Sequence, residues 1–477
     1  MVERVRTGID GLDEVIEGGF PKGSLILLAG NPGTGKTVFS AQFLAKGAGL
    51  GEPGIYVSFA ESREALIENL SRHLGLDFER LEVEGKFKFL DYTAVKEEAV
   101  SAFLEAILGE VQALGAKRLV IDSFSAMAQA FKEPIDVRII VNIVLGRIVR
   151  QMDCTTIMVE EAPIGESKIG LGMEEFVADG VIRLSVNELE GRVFRDLHIV
   201  KLRGTELGER KLAFTLKGGF KVFPPFKPKH VKASKRFQPI PDPPDRYSTG
   251  SRDLDEALGG GVSRGSSMLL EVDEKASTLE YHLFVAPMAV NFVLQKRGVV
   301  LVPSSGVDPM TLLNTYIRLY GGTDDEAKRY ARVIVGRGFT SHTEWPNVIV
   351  AKGENWREDL DIVVKTSGEL EAETSQPNLS IVGTDTVITL YGEERCEEIL
   401  NLAATEARRL RSALIAIVKA GRRELATRLS PIADIYLRLV REHGCLLLYG
   451  IKPRTGLYAV EMDVSKGYPL PKLTPIV

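Results

Sequence analysis

Cysteine is scarce in this chain. Its 477 residues include three, Cys154, Cys396 and Cys445. They lie too far apart for a CxxC pair or a disulfide framework, and with six scattered histidines they suggest no zinc site. Buried thiols in a reducing cytosol are the expectation, and with them a cytoplasmic location. Long hydrophobic runs are also missing. No stretch reaches the ~18 apolar residues that a membrane span needs. The longest candidate, IIVNIVLGRIV (139–149), carries Arg147, so no membrane association is expected. The opening MVERVRTGIDG lacks an apolar run, so no signal peptide is expected. Charge of one sign is not in excess either. Sixty Lys and Arg stand against 65 Asp and Glu, a net −5. That balance argues against a dedicated nucleic-acid coat and leaves room for a local basic patch. A composition 44% hydrophobic and 26% charged excludes wholesale disorder.

What is present is a duplication. TGIDGLDEVIEGGFPKGSLILL (7–28) aligns without gaps on TGSRDLDEALGGGVSRGSSMLL (249–270), with 11 of 22 positions identical. Length alone suggests about three domains, but the repeat implies two of roughly 230 residues each. The expected boundaries are 1–222 for the first domain and 246–477 for the second. Between them, residues 223–245 hold seven prolines, which bar regular helix or sheet, and five Lys or Arg cluster at 227–236. Two readings of this segment stand: a solvated linker, or a contact for an anionic partner.

Short apolar runs alternate with helical patterns in each half. In the first, SLILLAG (24–30), GIYVSF (54–59), FKFLD (87–91), RLVIDS (118–123) and TTIMVEE (155–161) read as strands. Helices are expected at 36–48, 62–73, 95–114 and 136–151. Buried strands alternating with helices imply an α/β domain with a mainly parallel sheet and helices on both faces. After about residue 179, VIRLSV, RVFRDLHIVKLR, KLAFTL and FKVF read as closing antiparallel strands.

Residues 30–37, GNPGTGKT, match GxxxxGK[ST] between a strand and a helix, the context a phosphate-binding loop requires. Gly30, Gly33 and Gly35 let backbone N–H groups approach phosphate, and the helix N-terminus adds positive potential. Lys36 supplies a point charge to the β- and γ-phosphates, and Thr37 a hydroxyl to Mg²⁺. The expected ATP-binding set is Gly30, Asn31, Pro32, Gly33, Thr34, Gly35, Lys36, Thr37 and Val38. Asp122, ending the apolar strand RLVID, is the expected second-shell magnesium carboxylate, acting through water. Glu61, after the second strand, is the expected group that orients the attacking water. A surface Glu opening a helix capped by Ser62 is its plain alternative. Glu160 and Glu161 are the other candidate carboxylates.

The opening TGIDGLDEVIEGGFPKGSLILLAGNPGTGKT resembles the start of a KaiC domain, as do FAES (59–62), LVIDS (119–123), MEEFVADGVIRL (173–184) and VKLRGT (200–205). The resemblance spans the first half and, through the repeat, extends more weakly over the second. It implies two tandem RecA-like P-loop domains, a ring, usually a homo-hexamer, and ATP and Mg²⁺ as cofactors. It also implies that Lys201 and Arg203 reach the neighbouring subunit's site as an arginine finger. The sequence departs from the family in two places. Ala60 replaces the first of two adjacent glutamates, and Glu175-Phe176 stands where a self-kinase has its acceptor pair, so autophosphorylation is not expected.

The second half has lost the loop. EVDEKASTL (271–279) aligns with AGNPGTGKT, which puts Val272, Lys275, Ser277, Thr278 and Leu279 where Gly30, Gly33, Gly35, Lys36 and Thr37 stand. Asp273 and Glu274 bring negative charge to the phosphate position. Asp385 is a shifted remnant without an assigned role, and Lys452 and Arg454 keep the K-x-R spacing with no γ-phosphate to sense. The expectation is a slow ATPase with a regulatory or signalling output through a protein partner, its second domain a pseudo-ATPase scaffold. Two rivals stand beside it: a RecA-like motor stimulated by nucleic acid, and an assembly scaffold whose turnover is incidental.

Overall fold

The computed structural model describes residues 2–93, 100–129, 148–162, 177–309, 317–337, 347–419 and 421–477. By contacts the chain forms two compact units. One is Met1–Pro225 with His443–Cys445 and Pro475–Val477; the other is Phe226–Glu442 with Leu446–Thr474.

The strands of the first unit's large sheet are β1 (Leu25–Gly30), β2 (Gly54–Ser58), β3 (Phe87–Asp91), β4 (Arg118–Asp122), β5 (Thr155–Glu161), β6 (Gly180–Leu189), β7 (Arg192–Leu202), β8 (Lys211–Thr215) and β9 (Lys221–Phe223). They lie in the order β9-β8-β7-β6-β1-β5-β4-β2-β3. From β6 to β3 the pairing is parallel, and β7, β8 and β9 add antiparallel. The helices α1 (Lys36–Leu50), α2 (Arg63–Leu74) and α3 (Val100–Leu114) cover it. Strand alternation sorts the core onto two faces. Ile26, Leu28, Tyr56, Val120 and Ile157 pack with Phe39 and Phe43 of α1. Leu25, Leu27, Ile55, Val57, Leu119 and Ile121 pack with Ile107 and Val111 of α3. Each such buried side chain stabilises the unit by about 1.5–3 kcal/mol. This double burial explains the unbroken apolar runs. The helix expected at 136–151 lies outside the described residues as far as 147, as do 95–99 and the Glu175-Phe176 pair.

The second unit's sheet has strands β10 (Ser267–Val272), β11 (Val299–Val302), β12 (Ala331–Gly336), β13 (Val348–Ala351), β14 (Leu379–Gly383), β15 (Ala413–Lys419), β16 (Ile435–Glu442), β17 (Cys445–Lys452), β18 (Tyr458–Asp463) and β19 (Leu470–Pro475). Their order is β13-β12-β11-β14-β15-β10-β16-β17-β18-β19. It repeats the first plan: a parallel block from β13 to β16, then an antiparallel extension. Its helices include α4 (Thr278–Leu294), α5 (Trp356–Thr374) and α6 (Glu393–Leu410). The protein is thus two tandem RecA-like α/β domains.

The proline-rich segment belongs to the second unit from Phe226 onward. It forms no helix or strand before Arg246, because proline lacks the N–H that a ladder needs. It is nevertheless held. Phe237 is buried, with its ring 5.8 Å from Tyr320 and 5.0 Å from Tyr468. The Ile240 N–H donates to Asn291 Oδ1 at 2.8 Å, and Asp242 pairs with Arg297. No helix among the described residues is long and apolar enough to cross a membrane.

Candidate functional site

Parallel pairing sets where the polar residues emerge. In register, Gly30 lies opposite Glu161, and Ser58 opposite Asp122. The loop after β1, the carboxylate ending β4 and the turn after β2 therefore share the C-terminal edge of the sheet, where open α/β sheets present ligands.

The loop 30–35 turns on glycine. Gly33 has φ +76° and Gly35 φ +97°, values that L side chains rarely adopt. Nothing lies within 4 Å of where a Cβ would stand on Gly33, whereas one on Gly35 would meet Leu216 at 2.7 Å. The loop is pinned from within. Thr34 Oγ1 donates to Asn31 O at 2.8 Å, Asn31 Nδ2 to Ala162 O at 2.8 Å, and Arg195 Nη1 to Gly33 O at 3.2 Å. Pro32 is exposed on its crest, and Val38 packs against the core below.

Lys36, the first residue of α1, is 8% exposed. Its Nζ donates to the carbonyl oxygens of Gly30 at 2.8 Å and Asn31 at 3.0 Å. Burial holds the ammonium below its usual pKa, against the opposing pull of Glu161, Asp122 and Glu160. Next to it, Thr37 Oγ1 donates to Asp122 Oδ2 at 3.3 Å. The Tyr56 hydroxyl donates to the same Asp122 oxygen, and its fully buried ring stacks on Phe89. Burial raises the Asp122 carboxyl, while the Tyr56 hydroxyl, Lys36 and the Thr37 hydroxyl pull it down. Burial likewise raises the Tyr56 phenol, with the Asp122 charge adding to it. Tyr56 is the residue that reading the sequence missed. Its signal was a phenol inside the buried strand GIYVS, whose hydroxyl must find a partner.

Glu61 is exposed, three residues past β2, in a turn closed by Ser58. The Ser58 hydroxyl donates to Glu61 O at 2.7 Å and accepts from the Glu61 N–H at 3.1 Å. Partial desolvation, then the Asp122 charge, raises the Glu61 carboxyl above its ordinary value. Ser62 is the N-cap residue of α2, but its side chain makes no capping bond. Glu160 is buried at 3% exposure, and Glu161 is exposed beside the loop.

Lys201 and Arg203 do not join this constellation. Gly180 pairs with Leu202 on one side and Ile26 on the other, and Val181 with Lys201 and Leu27. Arg203, one residue beyond Leu202, therefore lies about 16 Å from Gly30 along the strands and about 10 Å to the side. No side chain spans that gap. At its own end of the sheet Arg203 lies 3.5 Å from the Asp179 carboxylate.

The corresponding edge of the second unit is occupied by its own side chains. Ser277 and Glu280 form a capping box on α4, and Glu280 also pairs with Arg441. Asp385 pairs with Lys419 at 3.0 Å and accepts from the Ser305 N–H at 3.0 Å. The Lys275 N–H donates to Asp273 Oδ1 at 2.9 Å, whereas Lys452 ends β17 at the opposite end of the sheet, where its Nζ donates to Ser430 O at 2.6 Å. The first helical turn of α4, the place where a loop would offer N–H groups to phosphate, is satisfied by the chain itself.

Comparison with known proteins finds KaiC-like relatives. A family model described as "ATPase: KaiC" matches residues 5–226, and one described as "GvpD basic region 2" matches residues 236–323. A UPF0273 protein of Pyrococcus furiosus is 35% identical over 239 residues, covering 47% of this chain and 95% of the relative. The circadian clock oscillator protein KaiC of Thermostichus vulcanus is 34% identical over 278 residues, 56% of this chain and 52% of its own length. A solved structure of a KaiC-like protein from Pyrococcus horikoshii is 41% identical, covers 47% of this chain and 100% of its own, and superposes with a TM-score of 0.43.

Proposed function

The chain belongs to the KaiC-like ATPases of the RecA superfamily, and from that membership we propose that its first unit binds ATP with Mg²⁺ and hydrolyses it slowly to drive a regulatory output. One observation carries the reading: Lys36 and the Thr37–Asp122 pair converge beside a glycine loop held by its own hydrogen bonds. The donors fit the ligand. Lys36 holds two carbonyl oxygens that a phosphate oxygen would replace, and a partly desolvated ammonium gains more from an anion than an exposed one does. The backbone from Gly30 to Val38 would cradle the phosphates, with Asn31, Pro32 and Thr34 fixing its path. Thr37 would hold Mg²⁺ directly and Asp122 through water. Once bound, the ion neutralises charge on the phosphate oxygens. Glu61 would orient the attacking water, since a carboxyl raised toward neutrality is the better base.

The sheet register supports a finger supplied from outside. Lys201 and Arg203 cannot serve their own loop, so their proposed role is to neutralise γ-phosphate charge in the next subunit. That requires a head-to-tail ring, a homo-hexamer on the family pattern. The second unit, residues 246–477 after the 223–245 strap, would be a scaffold that binds no nucleotide. Its helix N-terminus is capped by Glu280, and acidic Asp273 and Glu274 stand where phosphate would sit.

The test is phosphate release and fluorescent-nucleotide binding on the full chain and on Lys36→Ala. The account requires that the variant lose both. Turnover that survives in Lys36→Ala would place hydrolysis elsewhere and end this reading.

A further inference from the structure

Many cations on the second unit's surface are neutralised locally. On α6, Arg395 pairs with Glu398 and Arg409 with Glu406, while Arg422 and Arg428 share Glu393. The strap 226–245 is different. Lys227, Lys229, Lys232 and Lys235 are exposed along it, and none has a carboxylate within ion-pair distance among the described residues. Arg236 is the exception, bonded to Glu326. Nor is the strap loose. The Lys229 N–H meets Met462 Sδ at 3.2 Å, the Lys235 N–H donates to Gly467 O at 3.1 Å, and the Phe237 N–H donates to Tyr320 O at 2.8 Å. The lysines therefore stand on a fixed track, two or three residues apart, about 7–10 Å in extended chain. The track runs into a groove that Lys235, Arg252 and Lys466 line, with Pro239–Pro241 as one wall. Arg252 and Lys466 are likewise exposed and unpaired among the described residues.

We propose that this track and groove bind the phosphodiester backbone of single-stranded nucleic acid, without reading its sequence. The residue types select that partner over an acidic protein. Protein interfaces are depleted in lysine and built around exposed aromatic anchors. Here Phe237 and Tyr468 are buried beneath the groove, 2% and 4% exposed, so the groove offers no large aromatic anchor of the kind a protein hot spot needs, and His230 is the exposed ring on the track. Lysines are point charges that tolerate any phosphate geometry. A chain that is acidic overall but carries, along one segment, four lysines without ion pairs among the described residues focuses positive potential there, with Asp463 the opposing charge that Lys229 feels. A groove lined by the 235–241 segment, Arg252 and Lys466 suits one strand, whereas a duplex calls for a broader face. The site is independent of the nucleotide loop.

Counterion release gives the assay its scale. Each phosphate contact on a single strand contributes about −0.7 to the slope of log affinity against log salt. Six cations predict a slope near −4, so affinity falls several hundred-fold between about 50 and 200 mM salt. The experiment is fluorescence anisotropy of a labelled 20-nucleotide oligo-dT with the full-length protein. Three variants are compared with wild type: Lys227, Lys229, Lys232 and Lys235 all changed to Gln; Arg252→Gln with Lys466→Gln; and Lys117→Gln as a surface control. The fourfold variant should lose at least tenfold in affinity and about 3 units of slope, and the double variant about 1.4 units, with phosphate release unchanged in both. Three results would each overturn the proposal: wild type failing to bind at low salt, the variants keeping its affinity and slope, or a poly-glutamate peptide binding more tightly than the oligonucleotide. Tighter binding of a duplex of the same length would reject the single-strand assignment.

Discussion

If Arg203 acts only across a subunit boundary, two dead proteins should make a live one. Lys36→Ala removes the ammonium at the loop, and Arg203→Ala removes the finger. The register places Arg203 about 16 Å along the sheet and about 10 Å aside from Gly30 in the same chain, so each variant alone should have turnover reduced by roughly 10³ or more. Mixed in equal amounts and assembled together, they form rings in which a subunit with an intact loop sometimes faces a neighbour with an intact finger. With random assembly that happens at about one interface in four, because each of the two positions has an even chance of the required type. The mixture should therefore recover about a quarter of wild-type phosphate release. The assay is a titration of one variant into the other at constant total protein, and the recovery should peak at equal amounts. A mixture as inactive as its components would refute the reasoning, as would an Arg203→Ala protein that hydrolyses ATP normally by itself.

Two more predictions follow from individual contacts. Tyr56→Phe deletes the hydroxyl that donates to Asp122, a bond to a charged acceptor worth about 1.5–3 kcal/mol; the variant should need several-fold more Mg²⁺ for half-maximal nucleotide binding, and an unchanged Mg²⁺ midpoint would contradict the assigned arrangement. His282, 7% exposed on α4, has its pKa lowered to about 4 by burial and by Lys419. The unfolded chain binds that proton more readily, so the second unit's stability should be complete above about pH 6.5 and fall by about 3 kcal/mol as pH drops toward 4; urea unfolding of wild type and His282→Gln across that range reads it, and parallel pH profiles would rule it out.

The glycine loop's place between strand and helix was legible because local order determines it. A buried strand, three glycines and a helix starting at Lys36 need only eight consecutive residues, GNPGTGKT, and the helix does begin at Lys36. Asp122 was legible for a similar reason: an apolar run ending in one carboxylate has a predictable end. What depends on strand order was not legible. That β6 and β7 lie beside β1, and so place Lys201 and Arg203 at the far end of the sheet, follows from long-range pairing that no periodicity encodes. The Tyr56–Asp122 contact joins strands 66 residues apart for the same reason. The strap's prolines revealed that it would form no ladder, but its docking through Phe237 depends on Tyr320 and Tyr468, which are distant in sequence. In the second unit the alignment showed the loop's loss. That Glu280 pairs with Arg441 and Asp385 with Lys419 across the vacated edge depends on contacts distant in sequence.

The central claim is an ATPase whose site is completed by its neighbour, and solution mass tests it most directly. Light scattering on the full chain, with and without ATP and Mg²⁺, should give about six times the chain mass with nucleotide. That mass should persist in Arg203→Ala while phosphate release collapses. A monomer in every condition that still hydrolyses ATP would contradict the account.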